Sequence, residues 1–233
     1  MNSEILSSIF GSLSMILWLF VFIPQIYINY QNKSSKALSI YLLLYFIIGN
    51  YFSKLSATYK DINSIIIFMA NFHILLNFLI ILQILYYRYN EILDTLILQD
   101  LRYHSLLSKN EIIFLLIHFS ILFISTLFIY NFSNKSLIAN IYAWIASFIF
   151  FIARLPQILL NYKRKTTDGL SLYSFILMFF ANICFFISII IPIFYLPKNK
   201  HYDFFITHIQ WILGLSFSSI FDFIIFLQFY IYK

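Results

Sequence analysis

Ile23-Pro24-Gln25-Ile26, running on through Asn29-Tyr30, Lys33, Leu38-Ser39 and Tyr41 to Asn50, occurs twice in this chain. The second copy is Pro156-Gln157-Ile158, Asn161-Tyr162, Lys165, Leu170-Ser171, Tyr173 and Asn182, offset by 132 positions throughout and without a gap. In a chain so rich in Ile and Phe, one matching pair carries little. Pro, Gln, Asn and Ser returning at fixed spacing mean duplication of one structural unit, and a repeat constrains the architecture before any other feature does.

The surroundings of the repeat say what kind of unit it is. Of the 233 residues, 62% are hydrophobic and 10% charged. A water-soluble domain carries roughly 25% charged residues, so this chain lacks the polar surface to cover a globule. Apolar segments fall at 5–30, 37–59, 62–88, 111–131, 138–162, 169–195 and 204–232. Each is near the ~20 residues that a helix needs to cross a bilayer, and lipid leaves the backbone few alternatives to the helix. The early residues show no basic segment or cleavage site of a signal peptide. Cys184, the single cysteine, lies in an apolar run and reads as an inert buried thiol.

The expectation is an all-α membrane protein with seven transmembrane helices. Lys33, Lys36, Arg88, Arg102, Lys109, Lys163, Arg164, Lys165 and Lys233 fall on one side of such a layout, against Lys60, Lys135, Lys198 and Lys200 on the other. The basic side is expected in the cytosol, which puts the amino terminus in a lumen and the carboxy terminus in the cytosol. The net charge of +6 thus reads as topology, and nucleic acid is not an expected partner.

The duplication reaches further. Asn77 to Gln83 in span three has the spacing of Asp222 to Gln228 in span seven. Two parallel three-helix repeats joined by an inversion helix, 3+1+3, are therefore expected, with a site between them. The boundaries are 1–88 for the first repeat, 89–110 for a charged linker, 111–131 for the linker helix and 132–233 for the second repeat. Within the linker, Ile92-Leu93 and Leu96-Ile97 suit a short amphipathic surface helix, with a solvated linker as the alternative.

Pro24 and Pro156 lie within spans one and five. Each removes a helix hydrogen bond and frees a carbonyl, of Phe20 and of Ile152, so matching bends are expected there. A fixed bend and a hinge for alternating access are both open readings. Arg154, Gln157 and Asn161 share one helix face, as do Gln25 and Asn29, and such stripes suit a water-accessible interior.

Pro-Gln within a span, then Asn-Tyr, a basic loop and Leu-Ser, resembles the PQ-loop repeat family. The second copy, from Ala153-Arg154-Leu155-Pro156-Gln157-Ile158 through Asn161-Tyr162 to Thr167-Asp168-Gly169-Leu170-Ser171, fits best. The tail, with Trp211-Ile212-Leu213-Gly214, Asp222 and Leu227-Gln228-Phe229-Tyr230, is similar to the family's vacuolar and lysosomal cationic amino-acid exporters. The resemblance covers nearly the whole chain outside 89–135. It implies a carrier moving amino acids from an acidic lumen to the cytosol, and relatives that are cystine exporters, sugar carriers or cargo receptors. It also implies acidic residues at positions held here by Asn50 and Asn77, neither of which titrates.

Asp222 is the one carboxylate well inside an expected span. Ionisable groups there usually face a bundle interior or water. Asp222 is expected to bind a proton or a solute ammonium; the plainer alternative is a fixed Asp222–Arg154 pair. Asn50 and Asn182 are candidates to hold a solute's polar groups, with Asn77, Gln25 and Gln157 beside them, or to be interhelical glue. His73 is a second candidate for protonation. No phosphate loop, HExxH, paired-Cys motif or converging Ser/His/Asp set is present. The expectation is a carrier and not an enzyme, without metal or cofactor, whose partners are a small solute, protons and the bilayer. A basic amino acid leads as solute; a sugar or cystine carrier and a trafficking receptor are the alternatives.

Overall fold

Pro24 and Pro156 cannot donate to the carbonyls of Phe20 and Ile152, and their rings crowd those carbonyls. In the computed structural model, which describes residues 3–59, 64–97, 106–131 and 135–232, helices end at those two residues. The first span is α1 (Ser3–Phe20), a two-residue turn at Val21 and Phe22, and α2 (Ile23–Asn32). Proline is tolerated in α2 because it sits in the first turn, where N–H groups have no intrahelical partner. α2 ends on Lys33, in the left-handed region at φ 48°. The second copy of the unit repeats each step: α6 (Lys135–Ile152), a turn at Ala153 and Arg154, α7 (Leu155–Arg164), and Lys165 at φ 54°. The expected bends are thus full breaks.

The other elements are α3 (Ile40–Tyr59), α4 (Ser64–Ile97), α5 (Lys109–Asn131), α8 (Leu172–Ile190) and α9 (His201–Ile231), with 3-10 turns at Ile191–Tyr195 and Lys198–Lys200. Among the described residues, six stretches are long and apolar enough to cross a membrane: Glu4–Asn32, Ile40–Tyr59, Ile66–Asp94, Lys135–Arg164, Leu172–Tyr195 and Lys198–Ile231. The 23-residue α5 lies where a further span is expected.

The linker differs from expectation. Residues 89–97 are not a separate surface helix but the last turns of the 34-residue α4, since no Gly or Pro interrupts that run. Residues 98–105, the rest of the charged stretch, lie outside the described residues. Where the chain is described again, Ser108 and Glu111 form a reciprocal cap on α5 (Ser108 N to Glu111 Oε2 2.8 Å, Glu111 N to Ser108 Oγ 3.2 Å). Glu111 also accepts two bonds from Arg88 of α4, at 2.9 and 3.0 Å.

Packing follows the duplication. α1 lies along α8, and α3, the next span, lies along α6, which matches α1. The pairs α3–α4 and α8–α9 also correspond. Gly49 of α3 admits the Phe150 ring of α6 so closely that a Cβ there would stand 2.7 Å from it. One pair breaks the pattern: α6 packs along α9, whereas the matching α1 and α4 barely approach each other. Gly214 and Ser147 explain the close side, since a Cβ on Gly214 would lie 3.2 Å from Ser147 Cβ. The positions one repeat earlier hold Met69 and Met15, too bulky for that approach. Val21, Phe22 and Ala153 at the breaks share one buried apolar cluster with Leu42, Leu43 and Ile225, all almost wholly buried.

Candidate solute site

Beyond the breaks, at the end where α2 and α7 stop, the repeats are tied by side-chain amides. Gln25, 1% exposed, receives the Ser171 N–H at 2.7 Å and donates to Gly169 O at 3.1 Å and Asn29 Oδ1 at 2.8 Å. Gln157 treats the other repeat alike. It receives the Ser39 N–H at 2.8 Å and donates to Ala37 O at 2.8 Å and Asn161 Oδ1 at 2.9 Å. Each glutamine therefore crosses to the loop of the opposite repeat. The chains of amides continue: Asn29 donates to Gln83 and Gln83 to Ile26 O, while Asn161 donates to Gln228 and Gln228 to Ile158 O, all within 2.8–3.1 Å. Buried amides are costly unless satisfied; these satisfy one another within each repeat, and Gln25 and Gln157 reach the loop backbone of the other.

On the other side of the breaks, toward the start of α1, lies a cavity of about 280 Å³. α1, α3, α4, α6, α8 and α9 all contribute to its wall. Rings line much of it, including Trp18, Phe22, Phe46, Phe150 and Trp211, and polar groups are few. Ligand sites commonly combine an apolar lining with a handful of placed polar groups. Here those groups include Asn50, Asn77, His73, Ser147, Arg154 and Asn182.

Asn50 donates to Phe46 O at 2.8 Å and Asn77 to His73 O at 2.7 Å, each along its own helix. A carbonyl can only accept, so both amide nitrogens are held against the helix and both oxygens turn away from it. Asn77 Oδ1 and Ser147 Oγ are buried and have no partner among the described residues. His73 meets Trp18 edge-on at 5.3 Å between ring centroids.

The second repeat carries the charge. Arg154, at the break between α6 and α7, donates from Nε to Asp222 Oδ1 at 3.0 Å and from Nη2 to Oδ2 at 3.5 Å. Its Nη1 donates to Phe150 O at 3.0 Å, next to the freed carbonyls of the break. Asn182 adds a bond to Asp222 Oδ2 at 3.2 Å. Arg154 also stacks over Phe46, with Cζ 5.1 Å from the ring centroid. A buried pair of this kind holds its geometry because removing either member strands the other.

The structure thus sorts the residues singled out from sequence. Asn50, Asn77, His73 and Asn182 reach the cavity wall. Asp222 does not; it stands behind Arg154 and Asn182. Gln25 and Gln157 lie in the amide ties, and Pro24 and Pro156 open α2 and α7. Sequence reading gave no role to Trp18, Ser147 or Met69 of the wall, nor to Gln83 and Gln228 of the ties. For the two glutamines the signal existed, since both lie six residues after the matched Asn77 and Asp222.

A family model described as the PQ loop repeat matches residues 6–66 and 138–195. The vacuolar lysine transporter YPQ1 of Saccharomyces cerevisiae is 24% identical over all of this chain and 95% of its own length. The vacuolar histidine transporter YPQ3 of the same yeast is 22% identical over all of this chain and 94% of its own. The lysosomal amino acid transporter 1 homolog of Homo sapiens is 28% identical over 44% of this chain and 35% of its own. All three are named as transporters, and none as an enzyme. With two matched segments that coincide with the two copies of the Pro-Gln unit, the chain belongs to the PQ-loop repeat family.

Proposed function

We propose that this chain is a carrier for a basic amino acid, moving it from an acidic vacuolar or lysosomal lumen to the cytosol by alternating access. In this reading the fold is 3+1+3, with α1–α4 and α6–α9 as the two repeats and α5 as the inversion helix. The observation that carries the reading is the contrast between the two ends: amide ties close one end, and a cavity between the repeats occupies the other. A carrier needs such a closed side and an accessible side around one central site. The breaks at Val21–Phe22 and Ala153–Arg154 lie between the two, where bending would exchange them.

The excess of Lys and Arg at the tied end supports a cytosolic assignment for that end and a lumenal amino terminus. Asn50, Asn77 and Asn182 serve the solute directly. Asp222 belongs to the site through Arg154, and protons are coupled through Asp222 or His73. Gln25 and Gln157 act on the solute's exit rather than on its binding, with Pro24 and Pro156 marking the hinges. The names of the similar transporters support lysine or histidine as solute. Neutral amides in place of acids keep a sugar as the second reading, because amides serve hydroxyl groups well.

Uptake into proteoliposomes tests this, with labelled arginine, lysine, cystine and glucose and with or without an imposed pH gradient. Saturable flux of arginine or lysine is the expected result, and a gradient that accelerates it supports proton coupling. Glucose flux alone would replace the solute, and no flux in folded protein would favour a receptor on the same scaffold.

A further inference from the structure

We infer that Arg154 is the contact for the solute's carboxylate, so that the cavity orients a zwitterion with its carboxylate toward the α6–α7 break and its ammonium toward α3 and α4. This deepens the amino-acid reading and rests on it.

The first observation is which charge the cavity meets. Arg154 is part of the wall, Asp222 is not, and no Asp or Glu lines the cavity among the described residues. Of the ion pair, the member that belongs to the wall is therefore Arg154. The second is a count of donors. A guanidinium has five N–H groups. Asp222 takes one from Nε and one from Nη2, the latter at a long 3.5 Å, and Phe150 O takes one from Nη1. Two N–H groups on the terminal nitrogens have no acceptor among the described residues. Such planar, paired donors match a carboxylate.

The third observation is the opposite wall. Asn50 and Asn77 each spend an N–H on Phe46 O and His73 O, which turns the amide oxygen away from the helix, and Asn77 Oδ1 is buried without a partner among the described residues. The N–H groups of Arg154 thus stand on one side of the cavity and turned-out amide oxygens on the other. A sugar hydroxyl donates and accepts alike and gains nothing from that division. An amino acid does: its carboxylate meets Arg154 and its ammonium meets amide oxygens. The Arg154–Asp222 pair is neutral as a unit, so the two opposite charges of the zwitterion enter together without leaving a net charge from the α-carboxylate and α-ammonium in the apolar cavity.

The test compares equilibrium binding of arginine with that of agmatine, which has the same guanidinium and amine but no carboxylate. Purified protein in lipid nanodiscs is used, as wild type, as the double variant Arg154→Gln/Asp222→Asn, and as Arg154→Lys. The double variant removes both charges together and so avoids a stranded one. The wild type is expected to prefer arginine about tenfold or more, the range of a charge-assisted hydrogen bond. In the double variant, shown monodisperse with a cooperative melt, the preference disappears. Should that variant not fold, Arg154→Lys decides: a point charge replaces the planar fork, and the preference falls about threefold or more. Equal wild-type affinity for arginine and agmatine overturns the inference and leaves the carrier reading standing, as does a preference unchanged in the folded double variant or in Arg154→Lys. Wild-type protein that binds neither compound overturns the basic amino-acid reading itself.

Discussion

Arg154 and Asp222 face each other with side chains 1% and 0% exposed, and the positions matching them in the first repeat, Phe22 and Asn77, carry no charge. The duplicated halves thus share a backbone plan and differ in electrostatics. Removing one member leaves the other buried and unpaired, at a cost of about 3–5 kcal/mol. Arg154→Gln and Asp222→Asn are each expected to lower the melting temperature sharply in detergent. Arg154→Gln/Asp222→Asn should lose less than the sum. A double-mutant cycle measures the coupling, and additive losses would contradict it.

Gln157 serves three partners across the repeats, Ser39 N, Ala37 O and Asn161 Oδ1. Gln157→Leu is expected to leave these unsatisfied, each costing about 1–3 kcal/mol before relaxation or hydration, and to loosen the tied end. Ser39→Cys, placed in a background where Cys184 is replaced by Ala, reports this. Its alkylation by a membrane-impermeant thiol reagent should be slow while Gln157 is in place and several-fold faster once Gln157→Leu is added. Unchanged labelling would mean that the amide ties do not hold the end closed.

Gly49 is required by its neighbour rather than by its own backbone. A Cβ would stand 2.7 Å from the Phe150 ring, so Gly49→Ala is expected to destabilise the fold by about 1–3 kcal/mol. Phe150→Leu in the same chain should restore part of the loss. Thermal unfolding of the two single variants and the double variant measures it; equal damage from Gly49→Ala in both backgrounds would mean that the ring is not what excludes the methyl.

Met15 and Met69 occupy the positions that Ser147 and Gly214 hold in the second repeat. If bulk keeps α1 from α4, small residues should let them close. Met15→Ser/Met69→Gly is expected to reduce access to the cavity, read as slower modification of a cysteine introduced at Ala70. The reciprocal change Gly214→Met should prise α9 from α6 and lower stability. Faster modification in the methionine double variant would reverse the argument.

What sequence made legible was the register of the repeat. The 132-residue offset anticipated where both breaks fall, because proline chemistry is local and acts wherever the residue falls. Partnerships across the repeats were not legible. Gln25 binds Gly169 and Ser171, more than 140 positions away, and no local pattern encodes which repeat an amide will serve. Asn50 and Asn182 look equivalent in sequence yet differ in the fold: one bonds its own helix and the other bonds Asp222. Burial of neighbours decides that, and Asp222 has no charged counterpart in the first repeat. The end of α4 was misjudged for another reason, since charge marks solvent exposure and not the end of a helix.

The crossed amides also bear on how the molecule is made. The first repeat reaches the membrane with the side chain of Gln25 lacking Gly169 and Ser171, and with the backbone of Ala37 and Ser39 lacking Gln157. Neither half completes its own polar bonding, so during synthesis the first must wait in an unfinished state for the second. Two separately encoded halves would be expected to accumulate only when produced together, each acting as the other's chaperone.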